Sequence, residues 1–315
     1  MSAAVLSALF FGTSGTFVKP LLDAGWSPGA GSLIRTAVSA LILAVPTWRA
    51  LRGRWHLVRR HWLGLLLFGA VGIAVTQSAY FLAVGHIPVS TALMIEYLAP
   101  VLLVTATSIW LRRFPPLRVV GGTVAAVVGL ALVLDVGAGI AVDPIGLCAA
   151  LIATVGCASY FQLSATLPLP PIALTGLGFA IATVVSGLLG AVGLVPIVIG
   201  SWSVDLAGST VSALVPLAVV ALIAGVAGYS VAVAAASRIG ARAMSFLALT
   251  EVLFATVAAV LVLGQVPGPL QIVGGLALVA GVVLVISVRS DRERPADGPL
   301  PDPSVPHAVD AASRR

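Results

Sequence analysis

The sequence predicts an all-α polytopic membrane protein, with ten transmembrane helices arranged as two inverted five-helix repeats. Three observations predict it. Of 315 residues, 59% are apolar and only 9% charged, with a mean hydropathy of +1.12; a soluble domain carries about 25% charged residues. Apolar runs of roughly the length a helix needs to cross a bilayer recur ten times. Basic residues fall in alternate connections between those runs, which is how short loops mark the cytoplasmic face.

The runs span about 3–22, 28–47, 62–84, 88–111, 117–136, 144–166, 171–195, 211–236, 242–263 and 269–288. Pro28, Pro88, Pro116, Pro144, Pro171 and Pro269 stand at or just inside segment starts, where a missing N–H costs little. The first run lacks a basic leader and an obvious small-residue cleavage site, so it reads as a retained span. Residues 3–136 form the first repeat, 144–288 the second. The tail 289–315 holds five prolines and mixed charges and reads as a disordered cytoplasmic extension.

Charge sets the orientation. Arg49, Arg52, Arg54, Arg59 and Arg60 lie between segments two and three, and Arg112, Arg113 and Arg118 between four and five. Arg238 and Arg242 lie between eight and nine, and five more arginines in the tail. The opposite connections have no Lys or Arg but contain Asp23, Asp143 and Asp205. Both termini are therefore expected on the cytoplasmic side of the inner membrane. The net charge of +6 is an orientation signal, with no nucleic acid implied.

The chain also repeats itself. Residues 92–122 line up with 244–275 with one gap at the prolines, and 9–18 line up more weakly with 153–162. Five helices per half is an odd number, so the second half enters the membrane upside down. Inverted repeats of this kind mark secondary transporters, with the substrate site at mid-membrane between the halves.

The fourth segment carries the polar centre. Glu96 and Pro100 lie near its middle, and the proline leaves the carbonyl four residues earlier, that of Glu96, without its helical donor. Lipid satisfies neither the carboxyl nor the carbonyl, so this face should meet protein or a wet cavity. Glu251 is the acid of the ninth segment. Each acid is a candidate for binding a substrate ammonium or carrying a proton; the plain alternative is a protonated acid hydrogen-bonded between helices. Arg35, about seven residues into segment two, can hold a carboxylate bidentately or cap a buried acid. Gln77 and Tyr80 share a helix face in segment three. Tyr160 and Gln162 interrupt segment six, and Tyr229 aligns with Gln77. These polar groups line a cavity or pack. Lys19 lies one turn from Asp23, as an i,i+4 pair would. Trp48, Trp55 and Trp62 flank the first basic loop as an interfacial belt.

The ordered set of segments resembles the EamA-type branch of the drug/metabolite transporter superfamily over about residues 3–288. FFGTSGTFVK (10–19) is similar to the opening helix, with Phe11 where the family has Trp. SLIRTAVSALIL (32–43) resembles the Arg-containing second helix, and both fourth-helix segments run into a Gly-Gly start of the next. Ala99-Pro100 and Glu251-Val252 each keep half of the family's Glu-Pro pair, and Arg113 and Gln265 stand at its terminal Glu positions. The resemblance implies a ten-helix exporter of amino acids or other small metabolites, working by alternating access.

Several functions are excluded or disfavoured. No Gly-rich Lys-Ser/Thr loop for ATP and no His-Glu-x-x-His is present. Cys148 and Cys157, nine helical residues and about 13 Å apart, are too distant for a disulfide and read as packing residues. The protein is expected to be no enzyme and to need no cofactor or metal. Its expected partners are a small-molecule substrate and the lipid bilayer, as a monomer or homodimer. The rival readings are a passive facilitator and a non-transporting membrane scaffold.

Overall fold

A computed structural model describes residues 2–99, 101–102, 116–133, 143–248 and 250–292, for 133, 239–243, 245–248 and 285–292 the backbone alone. Pro100, Arg112, Arg113, Asp135 and the tail from residue 293 lie outside the described residues. The chain is helical, with α1 (Ser2–Asp23), α2 (Pro28–Ala50), a short α3 (Trp55–Arg60), α4 (Trp62–His86), α5 (Val89–Glu96) and α6 (Leu117–Val133) in the first half. The second half has α7 (Pro144–Thr166) and α8 (Pro171–Ala191), then α9, built from Leu214–Ala218, Val219–Gly228 and Tyr229–Ala248. It ends with α10 (Thr250–Leu263) and α11 (Pro269–Arg292).

Six of these helices are long and apolar enough to cross a membrane: α1, α2, α4, α7, α8 and the Leu214–Arg238 part of α9. Leu117–Leu132, Thr250–Leu263 and Pro269–Leu284 are shorter apolar helices. The starts follow local chemistry. Ser27 caps α2 by accepting from the Ala30 amide at 3.1 Å, with Pro28 as its first residue. Asp143 caps α7 by accepting from the Ile145 and Gly146 amides at 2.8 and 3.2 Å, ahead of Pro144. Each cap satisfies donors a helix start leaves orphaned.

Packing follows the two-repeat order. Extensive contacts pair α6 with α11, α2 with α8, α1 with α10, and α4 with α7. The first two join equivalent helices of the two halves. The third has its counterpart in α7 against α5, and the fourth in α1 against α9. Glycines allow the closest of these. A Cβ on Gly129 would lie 2.4 Å from the Leu278 amide nitrogen, and one on Gly281 2.5 Å from the Gly122 carbonyl oxygen, so α6 and α11 meet backbone to backbone.

Three features differ from the sequence-based expectation. The connection before α9 folds into a hairpin, β1 (Ser203–Leu206) against β2 (Ser209–Ser212), antiparallel, with Ala207 and Gly208 both at positive φ. Two central residues of that kind match the right-handed twist of paired strands. Its approach is fastened to the α1–α2 turn: the Ser27 amide donates to Val198, the Ser201 amide to Ala24, and the Trp26 ring N–H to the Ser201 carbonyl at 2.8 Å. Second, α9 stays helical through Ala248, so Arg238 and Arg242 lie on helical backbone where a loop is expected. No proline interrupts this stretch, and Ala, Arg, Met and Leu favour continuation. Third, α11 continues to Arg292, past the expected boundary of the tail.

Candidate functional site

Seven helices, α1, α2, α4, α5, α7, α9 and α10, line two neighbouring cavities of about 60 and 70 Å³. Arg35, Gln77, Tyr80, Glu96, Tyr229 and Glu251 line the first. Glu96, Glu251, Tyr160, Tyr229, Tyr97 and Cys157 are on the wall of the second. All seven sequence candidates thus come to this pair of cavities. Gln162 is exposed and lines neither. Lys19 lies away from both and pairs with Asp23 at 2.8 Å.

The cavities are stacked along the helices. On α1 the second cavity touches Ser7, Ala8 and Phe11, the first Phe11 and Ser14. On α4 the sequence is Gly72 and Thr76, then Thr76, Gln77 and Tyr80; on α5, which runs the other way, it is Glu96 and Tyr97, then Leu93 and Glu96. The second cavity therefore lies toward the Ser2 and Trp62 helix ends. The first lies toward the ends joined by the hairpin. Phe11, Thr76, Glu96, Tyr229 and Glu251 belong to both.

Local structure presents these side chains. The regular hydrogen bonding of α5 stops at Glu96, with Tyr97 as its C-cap. The Leu98 amide then bonds back to Ile95, and Thr154 of α7 donates to the same Ile95 carbonyl at 2.9 Å. Glu96 thereby sits on the last turn of α5, partly exposed to the cavities. Glu251 occupies the first turn of α10 and is 7% exposed. The Tyr97 hydroxyl donates to the Glu251 carboxyl, and Cys157 lines the same cavity as Glu96. The acid of the second half is thus held by a side chain of the first.

Arg35 is 3% exposed and donates from one terminal nitrogen to Ser14 Oγ at 2.7 Å. Its guanidinium carbon lies 5.8 and 5.7 Å from the ring centres of Phe81 and Tyr229, within cation–π range. No ion pair joins Arg35 to either glutamate among the described residues, and its Nε has no hydrogen-bond partner there. Gln77 donates to the Tyr229 hydroxyl at 2.8 Å, and its amide oxygen has no partner among the described residues. A buried donor and acceptor left open beside a cavity favour a polar occupant, because leaving them unpaired costs free energy. Arg35 and the two carboxyl groups thus line one space beside an aromatic cluster: Tyr229 meets Phe11, Phe179 and Tyr160 at 4.8, 4.9 and 5.3 Å.

Both third helices of the halves change hydrogen-bond pattern before the site. Ala70–Val75 of α4 and Val219–Gly228 of α9 are π-helical, a rare geometry concentrated at functional positions. Thr76 donates to the Val71 carbonyl at 2.9 Å, supplying a bond to the widened turn.

Tyr97 and Cys157 join the site although the sequence alone does not single out Tyr97 and reads Cys157 as packing. Cys157 lies three residues before Tyr160, on the same face of α7, and Tyr97 follows Glu96; those are the signals that point to them.

Such a site, polar groups gathered within a bundle of long apolar helices, is that of a polytopic membrane protein. The EamA-like transporter family matches residues 1–135 and again 144–287, and the chain belongs to that family. A chain described only as a protein crystal structure is similar over 91% of this chain and 98% of its own, at 19% identity and a TM-score of 0.57. That likeness concerns the fold. No curated protein matches this chain.

Proposed function

We propose that the protein is a secondary transporter that exports a small organic solute, an amino acid or a related metabolite or drug, across the cytoplasmic membrane by alternating access. The observation that carries the reading is the pair of cavities with two carboxyls and, on the wall of one, a guanidinium that has no ion pair among the described residues. In this reading ten spans form two inverted halves, both termini are cytoplasmic, and the halves rock about the cavities. Arg35 receives an anionic group of the solute, and Glu96 or Glu251 a cationic one. Gln77, Tyr80, Tyr160 and Tyr229 shape the space between. The same carboxyls carry the proton if the cycle is coupled to one.

The reading is tested by solute flux in proteoliposomes with an imposed pH gradient, after a growth screen with amino acid analogues and toxic metabolites has supplied the solute. Glu96→Gln is expected to abolish the pH dependence and lower flux. Unchanged flux and pH dependence would make Glu96 structural.

A further inference from the structure

Phe11, Thr76, Glu96, Tyr229 and Glu251 line both cavities, and of the two aromatic rings among them Tyr229 is the one tied by a side-chain hydrogen bond. Tyr229 lines both cavities, whereas Gln77 lines only the Arg35 side and Cys157 only the other. Among the described residues, the hydrogen-bond partner of the Tyr229 hydroxyl is the Gln77 amide, at 2.8 Å. The remaining neighbours of the Tyr229 ring, Phe11, Phe179, Tyr160 and Arg35, meet it through ring contacts, which survive a change of ring angle better than a directional bond does.

The bond also has a distinctive place in the fold. It joins the third helix of one half to the third helix of the other, at positions that align with each other. Each partner follows a π-helical stretch, Val219–Gly228 directly before Tyr229 and Ala70–Val75 two residues before Gln77. Moving a π turn along a helix, or removing it, rotates every residue downstream of it relative to the rest of the bundle. Gln77 and Tyr229 are among the first side chains such a shift would move.

We propose that the Gln77–Tyr229 hydrogen bond is the gate between the two cavities. While it holds, the Tyr229 ring divides the Arg35 side from the Cys157 side. When it breaks, the ring swings aside and a solute passes from one to the other. The proposal rests on the transporter reading for its purpose, but its test needs no solute.

Cys157 supplies the reporter, because it lines only the cavity away from the hairpin. Cys148 is exposed and is first replaced by Ala. A membrane-impermeant methanethiosulfonate reagent is then applied to sealed vesicles of each orientation, with Cys157→Ser as the blank. Tyr229→Phe removes one hydroxyl and keeps the ring; Gln77→Leu removes the partner. Each is expected to raise the labelling rate of Cys157 from the hairpin face by up to about tenfold, the population shift that losing one neutral hydrogen bond allows. The double variant should gain no more than either single one, since both remove the same bond. Unchanged labelling in Tyr229→Phe, or additive gains in the double variant, would overturn the gate. If Gln77→Leu does not fold, Tyr229→Phe alone decides. Altered labelling in a protein that moves no solute would count against the transporter reading only; unaltered labelling in one that does would remove the gate only.

Discussion

At the scale of single residues, two hydrogen bonds of the site, Tyr97 to Glu251 and Gln77 to Tyr229, join one half of the chain to the other. Tyr97 on Glu251 is the clearest case. Tyr97→Phe leaves that carboxyl without its donor, and transport efficiency is expected to fall by about tenfold or more, the scale of a hydrogen bond to a carboxylate; initial-rate flux against solute concentration measures it. A second pair lies outside the cavities. His86, the last residue of α4, meets Asp143, the cap of α7, at 2.9 Å. The His86 hydrogen bond, with help from the Gly146 amide, holds the Asp143 carboxyl below its ordinary range. A lowered folded value stabilises the fold above the usual carboxylate pKa of about 3.9, and the contribution is lost as pH falls through the lowered value. His86→Ala should therefore make acid unfolding in detergent begin at higher pH. The charged candidates are legible in the sequence because an acid or arginine inside an apolar run needs a reason. Tyr97 and Cys157 are not, because tyrosine and cysteine are equally at home in packing.

At the scale of elements, prolines mark several helix starts, whereas Arg238 and Arg242, expected in a connection, lie on helical backbone. The expected runs at 28–47 and 144–166 correspond to α2 and α7, which begin at the same prolines. What the spacing does not contain is the hairpin at 203–212, whose short polar strands and Ala-Gly turn lack the Asn-Gly or Asp-Gly signal. The π-helical stretches are equally hidden, because they alter which carbonyl an amide reaches and leave the apolar composition as it is. The α6–α11 contact makes a prediction at this scale. Gly281→Val puts a branched side chain where even a Cβ meets the Ala126 amide nitrogen and Gly122 carbonyl oxygen at 2.5 Å. Overpacking of this kind should cost about 1–3 kcal/mol, read as a lower thermal midpoint in detergent. Gly121→Ala, with open space around its Cβ position, should leave the midpoint close to the parent value.

At the scale of the whole molecule, the two family matches and the paired packing of equivalent helices express one arrangement. The alternation of arginines and aspartates along the chain is what an inverted second copy, as an odd number of spans per half would produce, is expected to give. The account predicts that cysteines introduced at Ser2 and Arg315 label from the same face of sealed vesicles, and one introduced at Asp205 from the other. Its central claim is that Glu96, Glu251 and Arg35 line a route for a solute. The most direct measurement is counterflow in sealed proteoliposomes, with labelled solute outside exchanging for unlabelled solute inside. The account predicts saturable exchange that Glu96→Gln, Glu251→Gln and Arg35→Gln each reduce severalfold or more; exchange that rises linearly with concentration, or that none of the three changes, would contradict it.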